Sequence, residues 1–252
     1  MVKRSDTHVV VIPSYNPGAI VVDVVQAVAD RWAPVWVMID GSDDGSPEQL
    51  AALAETLPDL RIFRFPENRG KGSVMLEAVR QAAAEGFTHV LTFDSDGQHP
   101  VDYLPRFLEL SEQNPEAMIL GTPQFGREAP LERVLWRKVA NLWTAITTLG
   151  GGIDDALFGM RVYPTSKLKQ ALESTRWARR FDFEPETVTR LSWLGTPAIN
   201  LPTPVRYLNE EEGGVSHFRY GRDNLLLVGM YLRLCAGALA RLPSLIRLRC
   251  RR

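Results

Sequence analysis

The sequence predicts an α/β domain, a mostly parallel central sheet flanked by helices. Two observations point there. Between residues 8 and 122, short β-rich apolar runs alternate with longer helical stretches, the pattern of a parallel sheet covered on its faces. The first, second and fourth of those runs also end in polar clusters, and in open α/β sheets ligands bind at the carboxyl ends of strands. A chain of 252 residues, 45% hydrophobic and 23% charged, suits one globular domain with a substantial core.

In chain order, the strand candidates are HVVVIP at 8–13, VWVMID at 35–40, RIFRF at 61–65, HVLTFD at 89–94 and AMILGT at 117–122. Amphipathic helices fit between them at about 19–31, 47–57, 71–85 and 101–113. A further helical stretch covers about 130–149, where Trp136 and Trp143 are read as packing in the core or at a membrane interface, core packing foremost, with the lining of an acceptor groove as the alternative. After Gly150-Gly151-Gly152 only short segments are expected, with no internal repeat.

A net charge of −1 argues against a nucleic-acid partner. Cys235 and Cys250 are the only cysteines, which excludes a disulfide framework or a Cys-based zinc site and fits a reducing compartment. The opening MVKRSDTHVVVIP has too short an apolar run for a signal peptide, so the chain is expected in the cytoplasm. Residues 219–252 carry eight arginines against Asp223 alone, a local charge of +7, within an apolar stretch broken by Arg233, Arg241 and Pro243. That combination predicts C-terminal amphipathic helices lying in a membrane interface, peripheral on the cytosolic face, rather than a bilayer span. A core or dimer helix followed by a solvated tail is the alternative. The expected division is a main domain over 1–218 and a basic tail over 219–252.

Asp94-Ser95-Asp96 closes an apolar strand, with Gln98 and His99 close behind. Oxygen ligands so grouped suit Mg²⁺ or Mn²⁺, which can hold a diphosphate. The same pair could instead be solvated turn residues capping a helix.

VVIPSYNP, VMIDGSDDGS, ENRGKGSVMLEA, LTFDSDGQHP and DDALFGMRVYP stand in that order over about residues 8–222. Together they resemble the family 2 glycosyltransferases of GT-A fold, above all the dolichol-phosphate mannose synthase-like branch. The resemblance implies transfer of a sugar from a nucleotide-sugar, with inversion at the anomeric carbon. It assigns Pro13, Tyr15 and Asn16 to the first nucleotide-binding loop and Asp40 to the base. Gly70, Lys71 and Gly72 become the glycine-basic-glycine loop near the nucleotide. Asp94, Ser95 and Asp96 become the diphosphate segment, with Asp94, Asp96 and Gln98 on the metal side. Asp155, counted with the catalytic residues, and Gly159 match an acceptor-side loop, with Arg161 just after it on the acceptor side.

Pro17 stands where the family usually has glutamate, and Ile39 precedes Asp40 where a pair of aspartates is usual. Near the C-terminus the chain has Arg206 and then Ser216-His217, and His217 resembles a C-terminal metal-binding histidine. Asp182 and Glu184 fall where the family keeps its acidic catalytic motif. A hydroxyl acceptor would need one of them as base. A phosphate acceptor would need arginines instead, such as Arg179, Arg180 or Arg206. Asp182 and Glu184 could also simply cap the helix entered at Pro185.

The reading is therefore a metal-dependent inverting transferase that passes a sugar from a UDP- or GDP-sugar to a lipid-linked, polyprenyl-phosphate-like acceptor. Its rivals are the same chemistry on a glycan, lipid or polyketide-like hydroxyl, and a non-catalytic nucleotide-sugar-binding or scaffold protein. A dinucleotide oxidoreductase and a P-loop enzyme are excluded because neither glycine fingerprint is present.

Overall fold

The computed structural model describes residues 2–125, 131–205 and 220–250. The chain runs β1 (Lys3–Arg4), β2 (His8–Ser14), α1 (Ile20–Ala29), β3 (Trp32–Ala33), β4 (Val35–Asp40), α2 (Ser46–Thr56), β5 (Leu60–Phe65), α3 (Lys71–Ala84) and β6 (His89–Thr92). A 3₁₀ turn at Val101–Tyr103 leads into α4 (Leu104–Gln113), followed by β7 (Met118–Gln124), α5 (Leu131–Thr148), β8 (Arg161–Pro164), α6 (Thr165–Glu173), α7 (Phe183–Trp193) and β9 (Ala198–Pro204). The tail forms α8 (Tyr220–Ala240) and α9 (Leu242–Cys250).

Seven strands form one sheet in the order β5-β4-β2-β6-β8-β7-β9, and β1 pairs with β3 beside it. All neighbours in the large sheet are parallel except those of β8, which runs antiparallel to both β6 and β7. Strands β2 and β4 are buried along their whole length, which is why they read as unbroken apolar runs. Val9, Val11, Trp36 and Met38 on one face pack with α3, α6 and α7, whereas Val10, Ile12, Val37 and Ile39 on the other pack with α1, Leu50 of α2 and α4. Each such side chain contributes about 1.5–3 kcal/mol by leaving water.

The expected helix over 101–113 is split, because Pro105 lacks an N–H and is accommodated only in the first turn of α4. Past residue 150 the chain is more regular than its pattern suggests. β8 inserts between β6 and β7, and this orientation brings its first residue, Arg161, level with Thr92 at the carboxyl end of β6. The loop before β8 is thereby laid over the strand ends where the polar clusters gather.

The tail does not stand apart from the domain. Met230, Tyr231 and Leu234 bury against Ala140 of α5, and the Tyr231 hydroxyl donates to the Ala140 carbonyl at 3.2 Å. Arg249 Nη2 donates to the Thr148 carbonyl and to Ser192 Oγ at 2.6 and 2.7 Å. The opposite side of α8 leaves Leu225, Val228, Leu232 and Leu239 exposed. Trp136 and Trp143 are exposed too, beside Leu135, Leu142 and Ile146, so core packing was the wrong expectation for them: α5 turns this stripe outward. Among the described residues no single helix is long and apolar enough to cross a membrane. α8 (from Leu225) and α9 meet that measure only together and are bent by 74°.

Candidate active site

The first two loops at the strand ends are zipped to each other. Asn16 donates from Nδ2 to Asp43 Oδ1 at 2.8 Å and accepts the Asp43 amide at 2.9 Å, while its own amide donates to Ser42 Oγ. The Gly18 amide donates to Asp44 Oδ2, and Asp44 Oδ1 accepts from Ser46 at the start of α2. Burial opposes ionisation of Asp44, but these hydrogen bonds outweigh it and hold the carboxyl below its ordinary value. Tyr15 stays exposed at the rim, while Pro13 is buried within β2 opposite Met38.

Asp40, buried at the end of β4, accepts the Arg69 amide at 2.7 Å on one oxygen and the Gly70 amide at 2.8 Å on the other. It therefore fixes the glycine-lysine-glycine loop. Gly72 donates to the Arg179 carbonyl at 3.1 Å, and a Cβ there would overlap the Ala178 carbonyl. That close approach is what requires glycine.

The loop delivers Lys71 to the centre of the site. Its ammonium lies 2.5 Å from Asp94 Oδ1 and forms an ion pair with Glu184 Oε1 at the start of α7. Burial disfavours its charge, but the Asp94 and Glu184 carboxylates outweigh that and raise its pKa. Asp94 Oδ2 meets His99 Nε2 at 3.0 Å, and His99 is wedged edge-on between Phe93 and Phe158. Burial acts to raise the Asp94 carboxyl, but Lys71 and His99 hold it far below its ordinary value. Asp96 goes the other way, raised by burial and by the charge of Asp94. It accepts the Gln98 amide at 3.0 Å.

Among the described residues no three His, Cys, Asp or Glu side chains stand close enough to form a metal cluster of their own. The donor set nonetheless fits Mg²⁺ or Mn²⁺. Such ions take one or two carboxylates and complete their shell with substrate phosphate and water, and Asp96 is a carboxylate whose burial and nearby Asp94 charge outweigh the pull of His99 and Lys71, so a bound cation would favour its ionised form. Gln98 sits at the same loop, and the expected ligand His217 lies outside the described residues, as do Arg206 and Ser216.

Several expected contacts face inward instead. Arg161 was expected at the acceptor but is fully buried, donating to Tyr163 Oη, the Glu184 carbonyl and the Asp155 carbonyl. No acceptor can reach it. Asp155, expected to take part in the chemistry, is 2% exposed and accepts from Arg137, Asn141 and the amides of Leu157 and Phe158. It fastens the 155–158 loop to α5. Asp182 accepts the Ala178 and Arg180 amides at 2.9 Å each, so it shapes the turn before α7 and neither caps that helix nor stands open as a base. Arg179 Nη2 donates to the carbonyls of Leu172 and Thr175 near the end of α6, away from any acceptor, whereas the exposed Arg180 reaches Asn68 at 3.2 Å. The reason is shared: a turn carries free amides or carbonyls, and the nearest charged side chain satisfies them. Gly159 lies against Asp94, where a Cβ would overlap Oδ2. The sequence reading passed over Asp43, Asp44 and His99 as functional positions, although all three sit inside the polar clusters it had marked.

Residues 9–169 match the sequence profile of Glycosyl transferase family 2. The chain belongs to glycosyl transferase family 2. It is therefore a glycosyltransferase, which removes the scaffold reading. Its relatives place it in the dolichol-phosphate mannose synthase-like branch of the family. It is 26% identical over 223 residues to the polyprenol monophosphomannose synthase of Mycolicibacterium smegmatis, covering 85% of this chain and 82% of that one. With the dolichyl-phosphate hexose transferase of Haloferax volcanii it shares 27% over 205 residues, 80% and 83% of the two chains. Among solved structures, glucosyl-3-phosphoglycerate synthase from Mycobacterium tuberculosis in complex with uridine diphosphate superposes with a TM-score of 0.64 at 18% identity, over 91% of this chain and 80% of the other. This family member thus has the GT-A fold, with a mostly parallel sheet and helices at its C-terminus.

Proposed function

We propose that this glycosyltransferase moves a sugar from a UDP- or GDP-sugar to the phosphate of a polyprenyl-type lipid, with inversion at the anomeric carbon. The observation that carries the phosphate over a hydroxyl is the state of the two candidate bases. Asp182 has both oxygens on backbone amides, and Glu184 is paired to Lys71. A hydroxyl must lose its proton as it attacks, while a phosphate is already ionised and needs no base. The two curated relatives named above act on polyprenyl and dolichyl phosphates by their names, which supports the same reading.

The donor is held by the zipped loops of Asn16 and Asp43, by the Asp40-braced loop and by the diphosphate segment at Asp94-Ser95-Asp96. Asp94 and Asp96 would hold a divalent cation, which when bound answers the charge that develops on the departing diphosphate. One structural neighbour is crystallised with Mn²⁺, uridine diphosphate and glucosyl-3-phosphoglycerate, which supports a metal of this kind. Lys71 lies beside Asp94 and adds a positive charge to the same region. The exposed apolar stripe on α8, with the arginines around it, supports peripheral contact with the cytosolic membrane face, where such a lipid would be met.

The test pairs UDP- and GDP-sugars with polyprenyl phosphate and with the matching polyprenol, and reads products by mass spectrometry. Glycosylated polyprenyl phosphate without glycosylated polyprenol is the expected result. Transfer to the alcohol alone would overturn the proposal.

A further inference from the structure

At the far end of α7 from Glu184, a cavity of about 360 Å³ opens between α6, α7 and α8. None of its lining residues belongs to the donor loops of Asn16, Asp40, Lys71 and Asp94, and its Trp193 wall lies nine residues, roughly 13 Å along the helix axis, from Glu184. Its size falls at the lower end of the ~300–1,000 Å³ usual for small-molecule sites.

Its walls are unusual in charge. Arg176, Arg190, Arg233 and Arg241 all line it, together with Trp177 and Trp193. Each tryptophan carries two guanidinium groups: Arg233 and Arg176 lie 4.3 and 5.1 Å from the Trp177 ring centre, and Arg241 and Arg190 lie 4.9 and 5.9 Å from that of Trp193. Stacking of this kind sets the plane of a guanidinium before any ligand arrives.

The carboxylates facing the cavity do not balance it. The fully buried Glu186 pairs with Arg190 at 2.7 Å and Arg233 at 2.6 Å, and Asp182 stands 3.9 Å from Arg233. Among the described residues, Arg176 and Arg241 have no carboxylate partner, and Arg233 Nε is buried without a hydrogen bond. Two of the four guanidinium groups therefore line the cavity without an anionic partner among the described residues.

We infer that this cavity is a binding site for a phosphate ester, apart from the donor loops around Asp40, Lys71 and Asp94. Guanidinium groups arriving from three elements suit a tetrahedral anion with several oxygens, where a single carboxylate would engage one or two. The indole faces supply an apolar wall for the organic part of the ester. The ester comes either from a phospholipid headgroup or from a soluble metabolite; both present the same group.

The test uses the full chain and the double variant R176Q/R241Q, which leaves the Glu186 pairs intact. R4Q/R106Q removes the same charge at exposed positions outside the tail. Glycerol 1-phosphate is titrated calorimetrically, and co-sedimentation is measured with phosphatidylcholine vesicles with and without phosphatidylglycerol. For R176Q/R241Q a loss of about tenfold or more is expected in whichever arm the parent binds, with less than about threefold for R4Q/R106Q and unchanged affinity for uridine diphosphate in both. Binding only to phosphatidylglycerol vesicles assigns the ester to a lipid, and binding only to glycerol 1-phosphate assigns it to a soluble compound. Equal losses in the two double variants, no loss in R176Q/R241Q, or a parent that binds neither probe would overturn the inference.

Discussion

The Asp94 carboxylate occupies the space that a side chain at Gly159 would fill. With Lys71 and His99 on its two oxygens, it is located from three directions. Gly159→Ala must therefore displace Asp94, or strain the loop by about 1–3 kcal/mol as overpacked sites do. Donor binding in the presence of Mn²⁺ is expected to fall by about tenfold or more while the circular dichroism stays native. Unaltered donor affinity in a folded variant would show that the position of Asp94 is not what the glycine protects.

Asp96→Asn separates metal binding from folding. Burial and the Asp94 charge raise the Asp96 carboxyl, so its ionised form opposes folding at neutral pH. The variant is expected to melt at or above the parental temperature and to lose metal-dependent donor binding, because the remaining amide is a poor ligand for a hard cation. A melting temperature well below the parent's, or an intact response to Mn²⁺, contradicts this assignment.

Asp40→Asn acts through the loop that the carboxylate braces. An amide offers one acceptor oxygen where the carboxylate accepts from Arg69 and Gly70 on two, so one buried amide loses its partner. Nucleotide affinity and stability should both fall by about 1–3 kcal/mol, with metal dependence retained. Calorimetric titration of the nucleotide with and without metal reads this directly, and equal affinity in the two proteins would remove Asp40 from the donor site.

For the acceptor, Glu184→Gln and Asp182→Asn are the decisive pair. With a phosphate acceptor, single-turnover rates at saturating donor should fall less than about tenfold in either variant. Loss of a general base lowers the rate by about 10² to 10⁴. A drop of that size in a folded variant that still binds donor would reverse the choice toward a hydroxyl.

Stability should decline in mild acid because of His8. Its ring stacks on His89 at 4.3 Å and contacts Ser111 Oγ at 3.0 Å; burial, then the neighbouring His89, lowers its pKa from 6.5 to about 4. Since the folded value lies below the unfolded one, the stabilisation is complete above about pH 6.5 and is lost as pH falls toward 4, up to about 3 kcal/mol. Urea unfolding of the parent and His8→Gln between pH 7 and 5 checks it, the variant being expected to show the shallower slope. Parallel curves would assign the acid sensitivity to other groups.

The parallel half of the sheet was legible because both its faces are covered, which makes β2 and β4 uninterrupted apolar runs. β8 was not: four residues containing Arg161 and Pro164 carry no period, and their burial comes wholly from strands laid down earlier. β9 was hidden because an edge strand with Pro202 and Pro204 alternates weakly. In the site, loop position at the strand ends was enough to mark Asp94 and Asp96, whereas Lys71 was marked through the family resemblance. The pairing of Lys71 with Glu184 was not readable, since only the fold joins them. Nor could sequence tell which way a loop carboxylate faces, and Asp155 and Asp182 turned to backbone amides.

The antiparallel strand β8 ties catalysis to the order in which the chain is made. A nascent chain that has emerged only to residue 124 already holds β2, β4 and β6 and all the donor loops, but β7 cannot join the sheet until residues 161–164 pair with both β6 and β7. The seat of Asp94 at Gly159 arrives in the same stretch. Incomplete chains should therefore bind no donor and expose an unpaired edge of β6, so an interrupted synthesis product is inert toward nucleotide-sugars and prone to aggregate before it can consume them.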